Sequence, residues 1–246
     1  QDSMGTVVSA VVFDFYGTLA RWEDGAGLNY AGVFAAHSYA VEDSVLDAYF
    51  RRYDGVDHSE HSVDEETYEA WVRSRLHELA ESGGVHPRHR DAVVEALRAA
   101  DRGPMVAYPE AARTLRAVRE AGLTVGVCSN WGWELTGFLD RVGLIDLVDS
   151  AVTSARAGSR KPHPGIYALS VQSIGVDPEE VLFVGDSWEP DVRGPRRMGM
   201  TAIHVWRDEE RQGQVAPALQ PGDHRVSDLG GVLAVLERLG EPDPVS

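Results

Sequence analysis

The stretch Val11-Val12-Phe13-Asp14-Phe15-Tyr16-Gly17-Thr18-Leu19 decides how this chain is expected to fold. Its first three residues have the apolar, valine-rich character of a strand that is buried on both faces. A carboxylate and a glycine turn follow at once. Because open α/β sheets keep their reacting groups at the carboxyl ends of the strands, the stretch predicts a parallel sheet with Asp14 at its reactive edge.

Further apolar runs alternate with amphipathic segments along the chain. Strands are predicted at Val7–Phe13, Thr124–Cys128, Val181–Val184 and Thr201–Val205, with a weaker candidate at Asp149–Thr153. Helices are predicted at Glu110–Ala121, Ile166–Ile174 and Asp228–Leu239. This alternation indicates parallel strands joined by right-handed crossovers. The sequence therefore predicts an α/β fold whose core is a doubly wound, Rossmann-like parallel sheet.

Residues 21–105 interrupt the alternation, because no strand pattern is found there. Helical patterns occur at Tyr39–Tyr53, after the capping-box sequence Ser62-Val63-Asp64-Glu65, and at Ala92–Ala100. We therefore expect an inserted all-α cap domain at residues 21–105. The catalytic core would then consist of residues 1–20 and 106–246.

The composition narrows the classes of partner. The chain has 246 residues and a formal charge of −16, which opposes binding to the phosphate backbone of nucleic acids. No apolar run approaches the roughly 20 residues that span a bilayer, and Gln1–Met4 do not begin a signal-peptide pattern. The single cysteine, Cys128, is expected to be a buried thiol. We expect a cytoplasmic protein, monomeric or homodimeric, that acts on a small molecule and binds neither nucleic acid nor membrane.

Three further polar clusters lie at Ser129-Asn130, at Lys161-Pro162 and at Gly185-Asp186 with Asp191. Together with Asp14-Phe15-Tyr16-Gly17-Thr18-Leu19 they resemble, in order and spacing, the four motifs of the haloacid dehalogenase-like hydrolase superfamily. The resemblance covers essentially the whole chain. The helical insertion is similar to the cap that this superfamily places between its first two motifs. The resemblance implies a hydrolase with a covalent intermediate on Asp14.

The residue types in these motifs suit phosphoryl transfer. A nucleophilic Asp14 would divide one difficult displacement into two easier ones. The hydroxyl groups of Thr18 and Ser129 and the amide of Asn130 are candidate hydrogen-bond donors. The cation of Lys161 would offset the charge that develops on the transferring oxygens.

The acidic residues of the motifs indicate a metal ion. Asp14, Asp186 and Asp191 are expected to converge, and three neighbouring carboxylates cannot all remain ionised without a cation. A site with oxygen ligands only and few protein groups suits Mg²⁺. The resemblance implies that the ion is held by Asp14, the main-chain carbonyl of Tyr16, Asp186 and, directly or through water, Asp191.

Tyr16 departs from the phosphatases of the superfamily, which usually carry a second aspartate here as acid and base. A phenol with a pKa near 10 is a poor general base at pH 7. Three readings stay open. The enzyme hydrolyses carbon–halogen bonds, as the haloacid dehalogenases with tyrosine at this position do. Or the enzyme hydrolyses a phosphate ester whose leaving group needs little protonation, or a residue of the cap supplies the general acid. Or the fold has lost activity and only binds.

Asp186 favours the phosphatase reading. Dehalogenases of the superfamily need no metal and typically carry a serine at this position. They also use an arginine early in the cap, and no arginine occurs between Arg21 and Arg51. We therefore favour Mg²⁺-dependent hydrolysis of a small phosphorylated metabolite.

Trp131 and Arg160 are the candidate substrate-binding residues. Trp131 directly follows the second motif, and an aromatic wall would suit an apolar or ring-bearing substrate; Trp22, Trp133 and Trp188 are its other candidate members. Arg160 precedes Lys161 and is a candidate second cation for an anionic substrate. The run Asp57-His58-Ser59-Glu60-His61 looks like a set of metal ligands, but we expect it to be a solvated loop of the cap.

Overall fold

The computed structural model describes residues 7–23 and 29–240. In these residues the strands, in chain order, are β1 (Ala10–Phe13), β2 (Ala20–Trp22), β3 (Met105–Ala107), β4 (Thr124–Ser129), β5 (Ser150–Thr153), β6 (Val181–Gly185), β7 (Thr201–Val205) and β8 (Asp223–Val226). Six of them form one sheet in the order β5-β4-β1-β6-β7-β8, and every neighbouring pair is parallel. The predicted doubly wound α/β core is confirmed.

β1 lies at the centre of this sheet, with all four residues buried. Val11 and Phe13 pack into one hydrophobic cluster, and Val12 packs into another. Because successive strand residues point to opposite faces, both faces of β1 are covered. Truncating a fully buried aromatic side chain such as Phe13 to alanine typically costs about 3–5 kcal/mol.

The strand order reverses at β1. The chain continues from β1 to β4 and β5 on one side, and it returns to β6, β7 and β8 on the other. Phe13 pairs with Val127 of β4 and with Val184 of β6, so the carboxyl ends of the three strands lie side by side. Such a reversal opens a crevice at the carboxyl ends of the strands, which is where open α/β sheets bind their ligands.

Helices cover both faces of the sheet. They are α5 (Ala111–Glu120), α6 (Thr136–Arg141), α7 (Ser154–Ala157), α8 (Pro164–Ile174), α9 (Gly194–Arg197) and α10 (Gly231–Gly240). α8 starts with Pro164 at its first turn and ends at Gly175 in the left-handed conformation, a common way to begin and end a helix. α10 begins later than predicted because the Asp228 carboxylate accepts a hydrogen bond from Gly230 N at 2.7 Å and forms a turn there.

Between β2 and β3 the described residues form helices and loops. The helices are α1 (Tyr30–Ala36), α2 (Asp43–Arg51), α3 (Glu65–Ser82) and α4 (Arg90–Ala100), with short 3-10 turns at Ser59–His61 and Pro87–His89. They share a hydrophobic cluster of their own that includes Phe34, Leu76 and Leu97. An inserted helical cap is therefore present; its division from the core at residues 21–105 stays a prediction.

Some local predictions were wrong. α3 is capped by Asp64, whose carboxylate accepts from Thr67 N at 2.8 Å, and not by Ser62. The strands β2 and β3 were missed because they have three residues each, and β8 was missed because three of its four residues are polar or charged. β1 starts at Ala10 rather than at Val7. None of the helices in the described part of the chain is long and apolar enough to cross a membrane.

Candidate active site

Asp14 leaves β1 at the edge predicted from the sequence. Its main-chain N–H donates to Val184 O at 2.8 Å, which continues the pairing with β6, and the residue is only 6% exposed. Oδ1 accepts from Lys161 Nζ at 2.9 Å, and Oδ2 accepts from Thr18 Oγ1 at 3.2 Å. The carboxylate is thus held from both sides by two of the predicted site residues.

Lys161 is almost fully buried and uses all three of its N–H donors. Nζ donates to Asp14 Oδ1 at 2.9 Å, to Asp191 Oδ1 at 2.6 Å and to Cys128 O at 3.0 Å. Burial alone would lower the pKa of Lys161, but the carboxylates of Asp14 and Asp191 raise it well above its ordinary value. The side chain is therefore a fixed cation between the two acids.

Asn130 fixes the main chain of Lys161. Its side-chain Oδ1 accepts from Lys161 N at 2.7 Å, and its Nδ2 donates to Lys161 O at 3.1 Å. Ser129, the last residue of β4, is 2% exposed and follows the carbonyl of Cys128 that binds Lys161 Nζ. The second and third motifs are therefore joined through an amide that acts on the backbone.

Asp14, Asp186 and Asp191 meet at this edge, with one carboxylate oxygen of each within 4.8 Å of the others. Burial and the charges of Asp14 and Asp191 raise the pKa of Asp186. Burial raises the pKa of Asp191 as well, with Asp14 adding to the effect and Lys161 opposing it. The cluster therefore has more negative charge than its cations balance.

Two glycines make this approach possible. Gly17 has φ +82°, and a Cβ at this position would lie 2.7 Å from Asp186 Oδ2. A Cβ at Gly185 would overlap the side chain of Asp191. Asp191 itself lies in a π-helical turn at Trp188–Arg193, and the residue before this turn, Ser187, donates its N–H to Asp191 Oδ2 at 3.0 Å.

The donor set fits a small divalent cation. Three carboxylate oxygens from separate segments face one another, and their pKa values indicate that extra positive charge would stabilise them. Asp14, Asp186 and Asp191, with the main-chain carbonyl of Tyr16, would hold such an ion, and hard oxygen ligands of this kind suit Mg²⁺.

Arg211 is a part of the site that the sequence analysis missed. Its Nη2 donates to Asp186 Oδ2 at 2.8 Å and to Asp186 O at 2.9 Å. It lies six residues beyond the end of β7, after the 3-10 turn at Asp208–Glu210, and belongs to no sequence pattern that would have revealed it. Arg211 holds one oxygen of Asp186, while Asp186 Oδ1 faces Thr18 Oγ1 at 3.5 Å.

Tyr16 is 46% exposed and its ring lies 6.1 Å from that of Trp22. Partial burial and the charges of Asp186 and Glu210 raise the pKa of its hydroxyl further above 10. The phenol is therefore even less suited to act as a general base at neutral pH than a free tyrosine. Another group must assist proton transfer if the reaction requires it.

A cavity of about 1190 Å³ opens beside Tyr16 and Asp186. Its wall is built from charged and aromatic residues of several segments: Arg21, Trp22, Tyr108, Glu110, Arg207, Glu210 and Arg211. Arg207 donates to Thr18 O at 3.3 Å and pairs with Glu110 at 2.6 Å, so the wall is tied to the first motif. The volume is larger than a small metabolite needs and admits water as well.

The four tryptophans do not form one wall. Trp131 stacks on Trp22 with 6.0 Å between ring centroids and meets the edge of Phe15 at 5.3 Å. Trp133 lies 6.0 Å from Tyr68 of α3, and thus contacts the cap. Trp188 packs against His204 and Arg225. The pair of Trp131 and Trp22 is therefore the aromatic surface nearest to the first motif.

Arg160 lies at the junction of cap and core. Its Nη2 is 3.5 Å from Asp54 Oδ1, and its main-chain N donates to Val56 O at 3.1 Å. The prediction of a solvated loop is wrong for His58. This residue is 3% exposed, and its ring stacks on that of Trp71 with 4.7 Å between the centroids. Aromatic burial outweighed the polar composition of the run, and the loop docks on residues 158–160.

The chain is similar to a known family of hydrolases and to named phosphatases. A family model for haloacid dehalogenase-like hydrolases matches residues 8–199. A phosphoserine phosphatase of Thermus thermophilus is 31% identical over 76% of this chain and 74% of its own length. A glyceraldehyde 3-phosphate phosphatase of Methanopyrus kandleri is 30% identical over 52% of this chain; this chain spans 63% of that relative.

Solved structures show the fold. The 2-haloacid dehalogenase from Pseudomonas syringae pv. Tomato DC3000 superposes with a TM-score of 0.66 over 94% of this chain and 99% of its own, at 23% identity. At that identity the likeness bears on fold alone. The family match, the sheet order and the inserted helices agree, and the chain belongs to the haloacid dehalogenase-like hydrolase family and is a hydrolase.

Proposed function

We propose that the protein is a Mg²⁺-dependent phosphatase that hydrolyses a small phosphorylated metabolite through an aspartyl-phosphate on Asp14. The observation that carries the proposal is the cluster of three carboxylates within 4.8 Å, which has too little positive charge of its own. A reaction that expels halide from a carboxylate substrate gains nothing from a third acid at this place. The phosphatase names of two relatives support the same class of substrate.

Asp14 is the nucleophile in this proposal. Lys161 holds Oδ1, while Oδ2 has only the long contact to Thr18, so Oδ2 is the oxygen that attacks phosphorus. The Asp14 Oδ2–phosphorus bond forms as the bond to the leaving oxygen breaks, and water then hydrolyses the acyl phosphate. Such a covalent route replaces one slow displacement with two faster ones.

The remaining motif residues would orient the phosphoryl group and stabilise its developing negative charge. Ser129 and the Thr18 hydroxyl are available to donate to phosphoryl oxygens, and Lys161 keeps positive charge beside the developing negative charge. Asn130 acts through Lys161, because both of its hydrogen bonds go to the backbone of that residue. A bound Mg²⁺ would supply charge neutralisation to the phosphoryl group and to the acids. Trp131 and Arg160 remain proposed substrate-binding residues.

The experiment is a panel of small phosphate monoesters assayed with Mg²⁺, with EDTA, and with Asp14→Asn. We expect EDTA to abolish turnover and Asp14→Asn to lower kcat by about 10³-fold or more, since the nucleophile is lost. Thr136→Ala, an exposed substitution on α6, is the control and should retain full activity. Equal activity of the wild type and Asp14→Asn would contradict the proposal.

A carbon–halogen hydrolase is the second candidate, favoured by Tyr16. In that reaction Asp14 attacks carbon, halide leaves without a proton, and water hydrolyses the ester. The two candidates separate on one comparison: turnover of 2-chloropropionate that persists in EDTA would favour the dehalogenase. Turnover of phosphate esters that requires Mg²⁺ favours the phosphatase.

A further inference from the structure

The cap contains a cavity of about 300 Å³ between α2 and α3. It is lined by Val45, Tyr49, Arg52, Tyr53, Arg75 and Leu79, with polar residues at its rim. None of these residues belongs to the four motifs. A cavity of this size lies at the small end of the range that binds ligands.

Arg75 is the unusual member of the lining. The residue is 8% exposed, and its guanidinium carbon lies 3.8 Å from the centroid of Tyr53, 4.7 Å from that of Trp71 and 5.1 Å from that of Tyr49. Within residues 7–23 and 29–240 it forms no salt bridge, and its Nε has no hydrogen-bond partner. A buried cation without a counter-ion is costly, so this charge calls for an acceptor.

The neighbouring charges are already paired. Arg52 at the rim contacts Glu78 at 2.8 Å, and Asp54 contacts Arg160 at 3.5 Å. Because Arg52 lies beside Glu78 and Asp54 lies nearer to Arg160, the Arg75 guanidinium has only the longer-range attraction of Asp54 to offset its charge. A ligand that carries one negative charge would balance it.

We propose that this cavity binds a small organic monocarboxylate. The aromatic rings pack against the guanidinium, which lines the cavity. A planar carboxylate matches the N–H groups of a guanidinium with two parallel hydrogen bonds. Val45 and Leu79 offer apolar surface to the rest of the ligand. A phosphate dianion fits less well, because one guanidinium would have to balance two charges.

The test uses the full chain and titrates benzoate, with benzamide as a neutral molecule of the same shape and inorganic phosphate as the competing anion. Binding is followed by calorimetry and by the NMR signal of the Arg75 Nε–H group. We expect saturable binding of benzoate that shifts this signal, and binding at least about tenfold weaker for benzamide and for phosphate.

Two variants and a control locate the site. Arg75→Met keeps the length of the side chain and removes the charge, so benzoate affinity should fall by about tenfold or more. Arg75→Lys keeps the charge over the rings but lacks the planar fork, and an intermediate loss is expected. Arg52 lines the same cavity and is already paired with Glu78. The affinity of Arg52→Met for benzoate should therefore stay within about threefold of that of the wild type.

Several results would overturn the proposal. They are the absence of saturable benzoate binding, equal binding of benzoate and benzamide, a preference for phosphate, or unchanged affinity in both Arg75 variants. If Arg75→Met does not fold, Arg75→Lys and the comparison with benzamide decide the question. The proposal does not depend on phosphatase activity, so either one can fail while the other stands.

Discussion

At the scale of single residues, Gly17 shows why a small side chain is needed beside the acids. Its backbone is left-handed, and a Cβ would lie 2.7 Å from Asp186 Oδ2. Gly122 has almost the same φ, +81°, with nothing within 4 Å of a Cβ. A substitution at Gly122 therefore tests backbone strain alone, whereas a substitution at Gly17 tests strain together with contact to Asp186.

We predict that Gly17→Ala and Gly122→Ala each lose about 1–2 kcal/mol of unfolding free energy, because a residue with a Cβ is strained in this region. Only Gly17→Ala should also weaken Mg²⁺ binding, by about tenfold or more, since Asp186 must move. Urea unfolding and calorimetric titration with Mg²⁺ measure the two effects. Identical Mg²⁺ affinities in the two variants would show that Gly17 does not position Asp186.

The sequence alone located the acids and Lys161, because each stands at a strand end or in a motif with characteristic spacing. It did not reveal Arg211, which reaches Asp186 from 25 residues away and belongs to no periodic pattern. It also did not show how Asn130 acts, since a side chain that binds the backbone of Lys161 leaves no trace in spacing. Pairing between distant loops depends on the path of the chain after each strand.

At the scale of elements, the loop that carries His58 docks the cap on the core. His58 N donates to Gly158 O at 2.7 Å, and the ring stacks on Trp71. The sequence suggested a solvated loop because all five residues of Asp57-His58-Ser59-Glu60-His61 are polar or charged. Burial of the His58 ring against Trp71 keeps this residue out of solvent. The composition of the loop gives no sign of such a contact.

His58 predicts a pH dependence of this docking. Burial, with the nearby Arg160 adding to it, lowers the pKa of His58 from its ordinary 6.5 to about 4. Between these values the unfolded chain binds a proton that the folded chain excludes, so the unfolding free energy should fall as the pH drops from 6.5 toward 4. The stability that His58 contributes is fully present above pH 6.5.

The substitution His58→Phe tests this, because it keeps a ring on Trp71 and removes the titrating group. Its unfolding free energy should depend less on pH between 4 and 6.5 than that of the wild type in urea melts at several pH values. The matched control is His61→Phe, whose ring also stacks on Trp71 at 4.9 Å but is partly exposed. An unaltered pH dependence in His58→Phe would exclude a role for its protonation.

At the scale of the whole molecule, the sheet and the helical insertion were predictable because hydrophobic periodicity is repeated over many residues. β1 and β6 are continuous apolar runs, and β4 and β7 are mostly apolar, as expected for strands covered on both faces. β8 was missed because Asp223-His224-Arg225-Val226 is a half-buried edge strand whose charged side chains give no such signal. β2 and β3 have three residues each, too few for a period to be read.

The unbalanced acids predict that Mg²⁺ stabilises the whole fold, because an ion that binds only the folded chain adds to its unfolding free energy. At a concentration of 100 times its Kd, the gain is about 2.7 kcal/mol, which corresponds to a Tm higher by about 5–10 °C for a chain of this size. Thermal unfolding with MgCl₂ measures the shift. NaCl at equal ionic strength is the control for screening of the −16 charge.

Asp186→Asn should remove most of this shift, since it takes one carboxylate from the cluster. A rise in Tm of the same size with NaCl, or an undiminished rise in Asp186→Asn, would mean that no specific divalent-ion site exists. This readout requires no substrate, so it remains informative whichever bond the enzyme hydrolyses.

The antiparallel pairing of β2 with β3 has a consequence for how such enzymes diversify. Arg21 lies opposite Val106, so the two chain crossings are separated by no more than about 5.5 Å, the spacing of paired strands. A helical module attached at such a narrow base can be exchanged or lengthened without shifting the register of the six-stranded sheet. Sequence changes can therefore accumulate in the insertion while the strand ends that carry Asp14 and Asp186 keep their positions.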